Sequence, residues 1–222
     1  MKTKITLLIT LISIFAHSQS WQWGKRGGSI DQLDTTSDNR QEEVFGIVTD
    51  SQKNIYTISY VGKNNLNVDG NIKTNFGDDT TLADVCLSSF SCDGIFRWSK
   101  IIGGGGYDYV RAIQIDAQDN IYIVGGFAAC QNIAYPPRID NDFILPQAPT
   151  SNCSLTFIAK FNSTGSLLWI KRPQDNISNT TSGLIGLSTD STGTSYVLAM
   201  LQPGSYANGA FTATVSGLFP LY

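Results

Sequence analysis

Few groups in this chain could do acid–base or metal chemistry, and their spacing argues against most of it. The single histidine, His17, lies in the first twenty residues. There Lys2 and Lys4 form a basic start, Ile5 to Phe15 an apolar run, and Ala16-His17-Ser18 a small-residue cleavage site, with Ser18-Gln19-Ser20 as a second. That order is an export signal over residues 1–18, with cleavage extending up to 20. Its apolar run falls short of the roughly 18 residues that a membrane span needs. Removal of the signal takes the histidine with it, which excludes a Ser-His-Asp triad, a Cys-His pair and a His-ligated zinc or copper site. Carboxylates, lysines and tyrosines then remain for proton transfer. Glu42 and Glu43 are the only glutamates. Two carboxylates flanking one glycosidic bond would be the strongest enzymatic option, but neighbours on a strand point to opposite faces.

Oxygen-rich runs also occur at Asp69-Gly70-Asn71, Gly77-Asp78-Asp79 and Asp140-Asn141-Asp142. Calcium takes six to eight oxygens, and the D-x-D-x-D-G loop that supplies them is absent, so these runs read as turns. Gly103-Gly104-Gly105-Gly106 lacks the Lys-Ser/Thr of a phosphate loop and reads as a connection. Cys86, Cys92, Cys130 and Cys153 all outlast the signal, and four cysteines in an exported chain allow three disulfide connectivities. Cys130 and Cys153 bracket a proline-rich insertion and are the favoured pair. Cys86 and Cys92 sit in one strand. Extended, six residues cover about 20 Å, beyond the roughly 7 Å that a disulfide bridges, so they bond only if the strand breaks. No basic run interleaves with aromatics, and the net charge is −3, which disfavours nucleic acid as a partner.

What positions these groups is a repeat. Val44 to Ile58 (VFGIVTDSQKNIYTI) matches Val110 to Val124 (VRAIQIDAQDNIYIV), and Leu184 to Leu198 (LIGLSTDSTGTSYVL) is a fainter third copy. Asp50, Asn54 and Tyr56 recur as Asp116, Asn120 and Tyr122, and in the third copy Asp190 and Tyr196 remain. Each copy predicts a strand, an Asx-rich hairpin turn and a second strand. These are Val44–Thr49 with Ile55–Tyr60, Val110–Ile115 with Ile121–Phe127, and Leu184–Thr189 with Ser195–Leu201. Ile121-Tyr122-Ile123-Val124 is apolar at successive positions, the pattern of a strand covered on both faces.

A second shared pattern, F-x-x-x-G-x-x-x-W-x-K, runs from Phe90 through Gly94 and Trp98, and from Phe161 through Gly165 and Trp169. It predicts a third strand, a glycine turn and a fourth strand whose tryptophan packs in the core. Trp23-Gly24-Lys25 reads as the last strand of a preceding unit, over residues 21–26, and a third strand of the last unit is expected at Ala210–Val215. The gaps Gly62–Thr81 and Ala128–Asn152 read as loop or short hairpin.

Asp116–Gly125 and Phe157–Trp169 resemble the SBBP-type repeats of exported bacterial β-propeller proteins, in which D-x-x-G-N-I-Y-V-x-G is followed by D-x-F-V-A-K-F-x-x-x-G-x-x-x-W. Val85–Trp98 departs from it, with Cys86-Leu87-Ser88-Ser89-Phe90 in place of F-V-A-K-F. The resemblance implies an all-β array of four-stranded antiparallel blades. About three are expected, over residues 44–102, 110–172 and 184–222 within a repeat segment at 19–222. Rings of this kind close with about four to eight blades, so the expectation is an incomplete ring, a truncated product or an arc that further blades or another chain complete. No later run is apolar enough to span a membrane. The function that follows is a secreted or cell-surface, non-catalytic module, without cofactor or metal, that displays loops to a protein or glycan. The alternative is a remnant of a propeller enzyme, either carbohydrate-active or similar to quinone-dependent dehydrogenases, whose repeat shares the G-x-x-x-W-x-K element.

Overall fold

Alternating apolar residues separated by Asp, Asn and Gly turns leave this chain no helical period, and no helix occurs among the described residues. The computed structural model describes residues 23–29, 42–62, 65–76, 84–106, 108–127, 135–145, 155–172, 183–206 and 210–221. The signal segment at 1–18, Asp78 and Asp79, and the Cys130 and Cys153 pair lie outside them.

The strands are β1 (Gly27–Ser29), β2 (Val44–Thr49), β3 (Ile55–Val61), β4 (Leu66–Val68), β5 (Asn71–Lys73), β6 (Asp84–Phe90), β7 (Phe96–Gly103), β8 (Tyr109–Ile115) and β9 (Ile121–Phe127). They continue as β10 (Arg138–Ile139), β11 (Phe143–Ile144), β12 (Leu155–Phe161), β13 (Leu167–Lys171), β14 (Gly183–Thr189), β15 (Ser195–Leu201), β16 (Gly204–Tyr206), β17 (Phe211–Ala213) and β18 (Gly217–Leu221). All pairings are antiparallel.

Three sheets carry the repeat, in the orders β2-β3-β6-β7, β8-β9-β12-β13 and β14-β15-β18. Their registers agree residue for residue: Ile58 lies opposite Leu87, Val124 opposite Ile158, and Leu198 opposite Pro220. The first strand of each has a bulge at the same place, at Val44/Gly46, Val110/Ala112 and Leu184/Gly186. An extra residue on one strand bends it and increases its twist, so the three sheets share one curvature.

The sheets pack face on face. Tyr56, Ile58 and Leu87 of the first meet Val110, Ile113, Ile123 and Phe157 of the second in one buried cluster. Val124 of the second meets Leu184, Val197 and Ala199 of the third in another. Strand β9 is therefore buried along its whole length, as its unbroken apolar run requires.

Four-strand uniformity does not hold. Among the described residues only the second sheet has just four strands; the first is extended by β10-β11 to six, and the third has three. The added hairpin comes from the gap between β9 and β12, so the second unit reaches back and pairs β10 with β7 of the first. The β4-β5 hairpin occupies the same gap in the first unit and pairs with β1. In the third unit β16-β17 takes that place. Consequently the third strand is not Ala210–Val215. Phe211–Ala213 is a hairpin arm, and β18 pairs with β15 with Phe219 opposite Ala199, as Phe157 lies opposite Gly125. The leading strand is also displaced: residues 23–26 are not in strand, and β1 begins at Gly27.

Candidate functional site

The carboxylates and phenols singled out by the repeat converge at the turn of each unit, buried in the first two units and with Tyr196 exposed in the third. Asp50 Oδ1 accepts the backbone N–H of Gln52 (3.0 Å) and Asn54 (2.7 Å), while Oδ2 accepts Asn54 Nδ2 and the Tyr56 hydroxyl, both at 2.8 Å. Asp116 repeats this with Gln118 N and Asn120 N at 2.9 Å, Asn120 Nδ2 at 3.0 Å and Tyr122 Oη at 2.9 Å. Asp190 takes Thr192 N and Thr194 N at 2.9 Å and Tyr196 Oη at 3.2 Å. The residue before the Asn or Thr is left-handed in every copy, at Lys53 (φ 64°), Asp119 (62°) and Gly193 (85°). This is a closed Asx turn whose carboxylate is saturated by local donors.

Burial pushes the Asp50 and Asp116 carboxyls up, but the hydrogen bonds from Asn54, Tyr56 and Gln52, and from Asn120, Tyr122 and Gln118, outweigh it. Both are held below the ordinary carboxylate range. Burial raises the phenols of Tyr56 and Tyr122. Neither half of the pair is poised for proton transfer near neutral pH.

A cation completes each buried cluster, and it arrives by different routes. In the second unit Lys160 of β12 stands 3.3 Å from Asp116 Oδ2 and over the Tyr122 ring. The equivalent position in the first unit is Ser89, and Arg97 from β7 takes over, donating to Tyr56 Oη and Ser89 Oγ, both at 3.0 Å. Its second nitrogen donates to Ser163 O at 3.2 Å. The lysine of F-V-A-K-F is visibly missing from the sequence at Ser89. That Arg97 fills the gap is not legible there, because the two residues meet only across the β6-β7 ladder.

The tryptophans make joints between units. Trp98 Nε1 donates to Ser163 O at 3.1 Å, and its ring lies over Gly165 (φ 84°), where an added Cβ would come within 2.7 Å of it. Trp23 does the same to the first unit, donating to Cys92 O at 3.1 Å with its ring over Gly94 (φ 75°). Trp98 and Trp169 each face the turn tyrosine of their own sheet, Tyr56 at 5.9 Å and Tyr122 at 6.0 Å between centroids.

Two of the three acidic runs, Asp69-Gly70-Asn71 and Asp140-Asn141-Asp142, are the tips of the inserted hairpins, and Gly77-Asp78-Asp79 lies outside the described residues. Asp69 N donates to Arg26 O (2.9 Å) and Asp140 N to Ile101 O (2.8 Å), each residue left-handed, at 49° and 42°. Lysines take up their carboxylates: Lys25 reaches Asp69 at 2.8 Å, Lys73 reaches Asp140 at 2.6 Å and Lys100 reaches Asp142 at 2.8 Å. The Gly-rich run that begins at the end of β7 meets two buried carboxylates. Gly104 N donates to Asp108 Oδ2 at 2.7 Å, and Asp84 lies against Gly103. β6 is unbroken between Asp84 and Phe90, and Cys86 and Cys92 are free thiols. Burial pushes the Cys86 thiol up to about 12, so it is not a nucleophile.

An open cleft of about 330 Å³ lies between residues 23–28 and the outer face of the first sheet. Both Glu42 and Glu43 border it, beside Trp23, Lys25, Val44, Ile47 and Tyr60. No family model matches the chain, and no curated protein matches it.

Proposed function

We propose that this is an exported, non-catalytic β-propeller repeat module of the SBBP type. It is secreted or displayed at the cell surface and presents its connecting loops and hairpins to a protein or glycan. The carrying observation is the Asp–Tyr–cation cluster. It occurs twice, with different cations from different strands, and in both copies it spends the chemically able groups on holding a turn. A site under catalytic constraint would fix the identity and origin of its cation. The face-on-face packing of sheets with a common register and a common bulge supports a blade arrangement of about three units.

The test has two parts. Expression with the N-terminal segment should deliver the protein outside the cytoplasm with a new N-terminus at Gln19 or Trp21; a retained, uncut N-terminus overturns export. Calorimetry against a quinone with calcium, beside a glycan array, should give no tight quinone or calcium site. Tight binding of either overturns the module reading in favour of a remnant enzyme.

A further inference from the structure

The repeat provides an internal standard for what should be covered, because the same side chain occurs in units with and without a neighbour. On the leading face of each sheet, Val110 in the second unit is 0% exposed and Leu184 in the third is 2%, whereas Val44 in the first is 63% exposed. Ile47 shows the same gap from its counterpart Ile113. On the trailing face the inequality reverses. Val124 is 0% exposed and its counterpart Leu198 is 40%; Thr156 is 1% and its counterpart Leu218 is 61%. Met200 and Tyr196 join that bare trailing face. The two ends of the array thus expose the two halves of a joint that the chain already makes twice internally, trailing face to leading face.

A strand is distributed in the same way. Residues 23–29 dock on the first unit as β7 docks on the second. Trp23 lies over Gly94 as Trp98 lies over Gly165, and Gly28 lies opposite Asn67 of the β4-β5 hairpin as Gly103 lies opposite Arg138 of the β10-β11 hairpin. Among the described residues they take the place of a fourth strand, with only β1 in strand form, and no described strand lies beside them as the other three of that sheet. The third sheet has the complementary composition, three strands and no described fourth beyond β18.

We propose that two copies of this chain join head to tail, with the trailing face of the third sheet of each copy covering the leading face of the first sheet of the other. Residues 23–29 of one copy then run beside β18 of its partner as the fourth strand. The interface continues the one inside the chain, and the partner's Leu198, Met200 and Leu218 fill the cleft beneath Trp23. The hydroxyls at the centre of the leading face need no new partner, because Thr57 and Ser88 bond each other at 2.8 Å. Two such joints related by a twofold axis close on themselves. Three units per copy give six in the pair, within the roughly four to eight that closed rings of blades contain. The inference rests on the blade reading above, and its test is independent of export and of cofactor binding.

Light scattering and native mass spectrometry of the purified protein should give twice the chain mass. Val44→Asp with Ile47→Glu spoils every leading face, and Met200→Glu with Leu218→Glu every trailing face. Each double variant alone should be monomeric, with strand content by far-UV circular dichroism unchanged because all four side chains are at the surface. Mixing the two variants leaves one intact joint per pair and should restore a dimer. A monomeric wild type overturns the proposal, as does a dimer indifferent to both variants. So does one double variant that stays dimeric while the other is monomeric, which is the signature of a leading-to-leading or trailing-to-trailing contact, and so does a failure of the mixture to pair. As a measurement free of variants, amide exchange in β15 and β18 should slow as wild-type concentration rises; concentration-independent exchange also overturns it.

Discussion

The Asp116 and Asp190 turns share their two backbone hydrogen bonds and the bond from the tyrosine, in opposite surroundings. Around Asp116 the carboxylate and Tyr122 are buried, and Tyr122 donates to Asp116 while lying 3.1 Å from Gly193 O of the next unit. Around Asp190 the tyrosine, Tyr196, is half exposed. Five or six residues of local sequence are therefore enough to fold the turn. What the neighbouring sheet adds is a low-dielectric setting in which the same bonds can no longer be replaced by water.

The sharpest way to break this comparison is to remove the carboxylate from each. Asp116→Ala strands the Tyr122 hydroxyl, Asn120 and the Lys160 ammonium in a buried place, and should cost about 3 kcal/mol in urea unfolding. Asp190→Ala should move the midpoint far less, since water replaces the lost partner. Equal losses would show that the turn itself, and not its cover, carries the stability.

The glycines give the next contrast. Gly165→Ala forces a side chain into a left-handed residue and into the Trp98 ring, at about 2–3 kcal/mol. Gly193 has the same φ, but an added Cβ meets only ordinary contacts at 3.4 Å, so Gly193→Ala should cost about 1–2 kcal/mol.

Buried carboxylates without a full set of donors should behave oppositely to the turns. Asp84 is pushed up to about 7 by burial, which the N–H groups of Phe76 and Gly104 offset only in part, and its Oδ1 has no partner. The folded protein therefore holds a proton that the unfolded chain releases near pH 4, and stability should fall as pH rises from about 4 to about 7. The depressed Asp50 and Asp116 act in the other direction, losing their contribution as pH falls below the normal carboxylate range. Asp84→Asn should flatten the decline and add about 1–2 kcal/mol at pH 8 in thermal unfolding. An unchanged slope would mean that Asp84 stays charged.

Smallest is the phenol. Tyr122→Phe should cost about 1 kcal/mol and Tyr196→Phe less, read as paired shifts in unfolding midpoint.

The local part of this architecture was legible in the sequence. Strands β2, β9 and β15 begin and end where alternation and the Asx turns place them, and β3, β8 and β14 each differ by one residue at one end. Asp50, Asn54 and Tyr56 were visible as a unit because one turn brings them together. Legibility ended where partners are distant in the chain. The β10-β11 hairpin was only a proline-rich gap, since its purpose is to pair with a strand of the preceding unit. Phe211–Ala213 looked like a third strand because a short hairpin arm and a sheet strand share the same alternation, and only the pairing of β18 with β15 separates them. Trp23 was recognised by its W-x-K spacing although the strand beside it starts later, because the indole seats itself on Gly94 independently of the backbone pairing around it.

The exchange of Lys160 for Arg97 constrains how such an array can be rearranged. A crossover in the hairpin between third and fourth strands would join Ser89 to Leu168, leaving the turn tyrosine with no cation beside it, or join Lys160 to Arg97, crowding two cations against one phenol. Segments of this molecule can be shuffled intact only when that hairpin travels as a single inheritance.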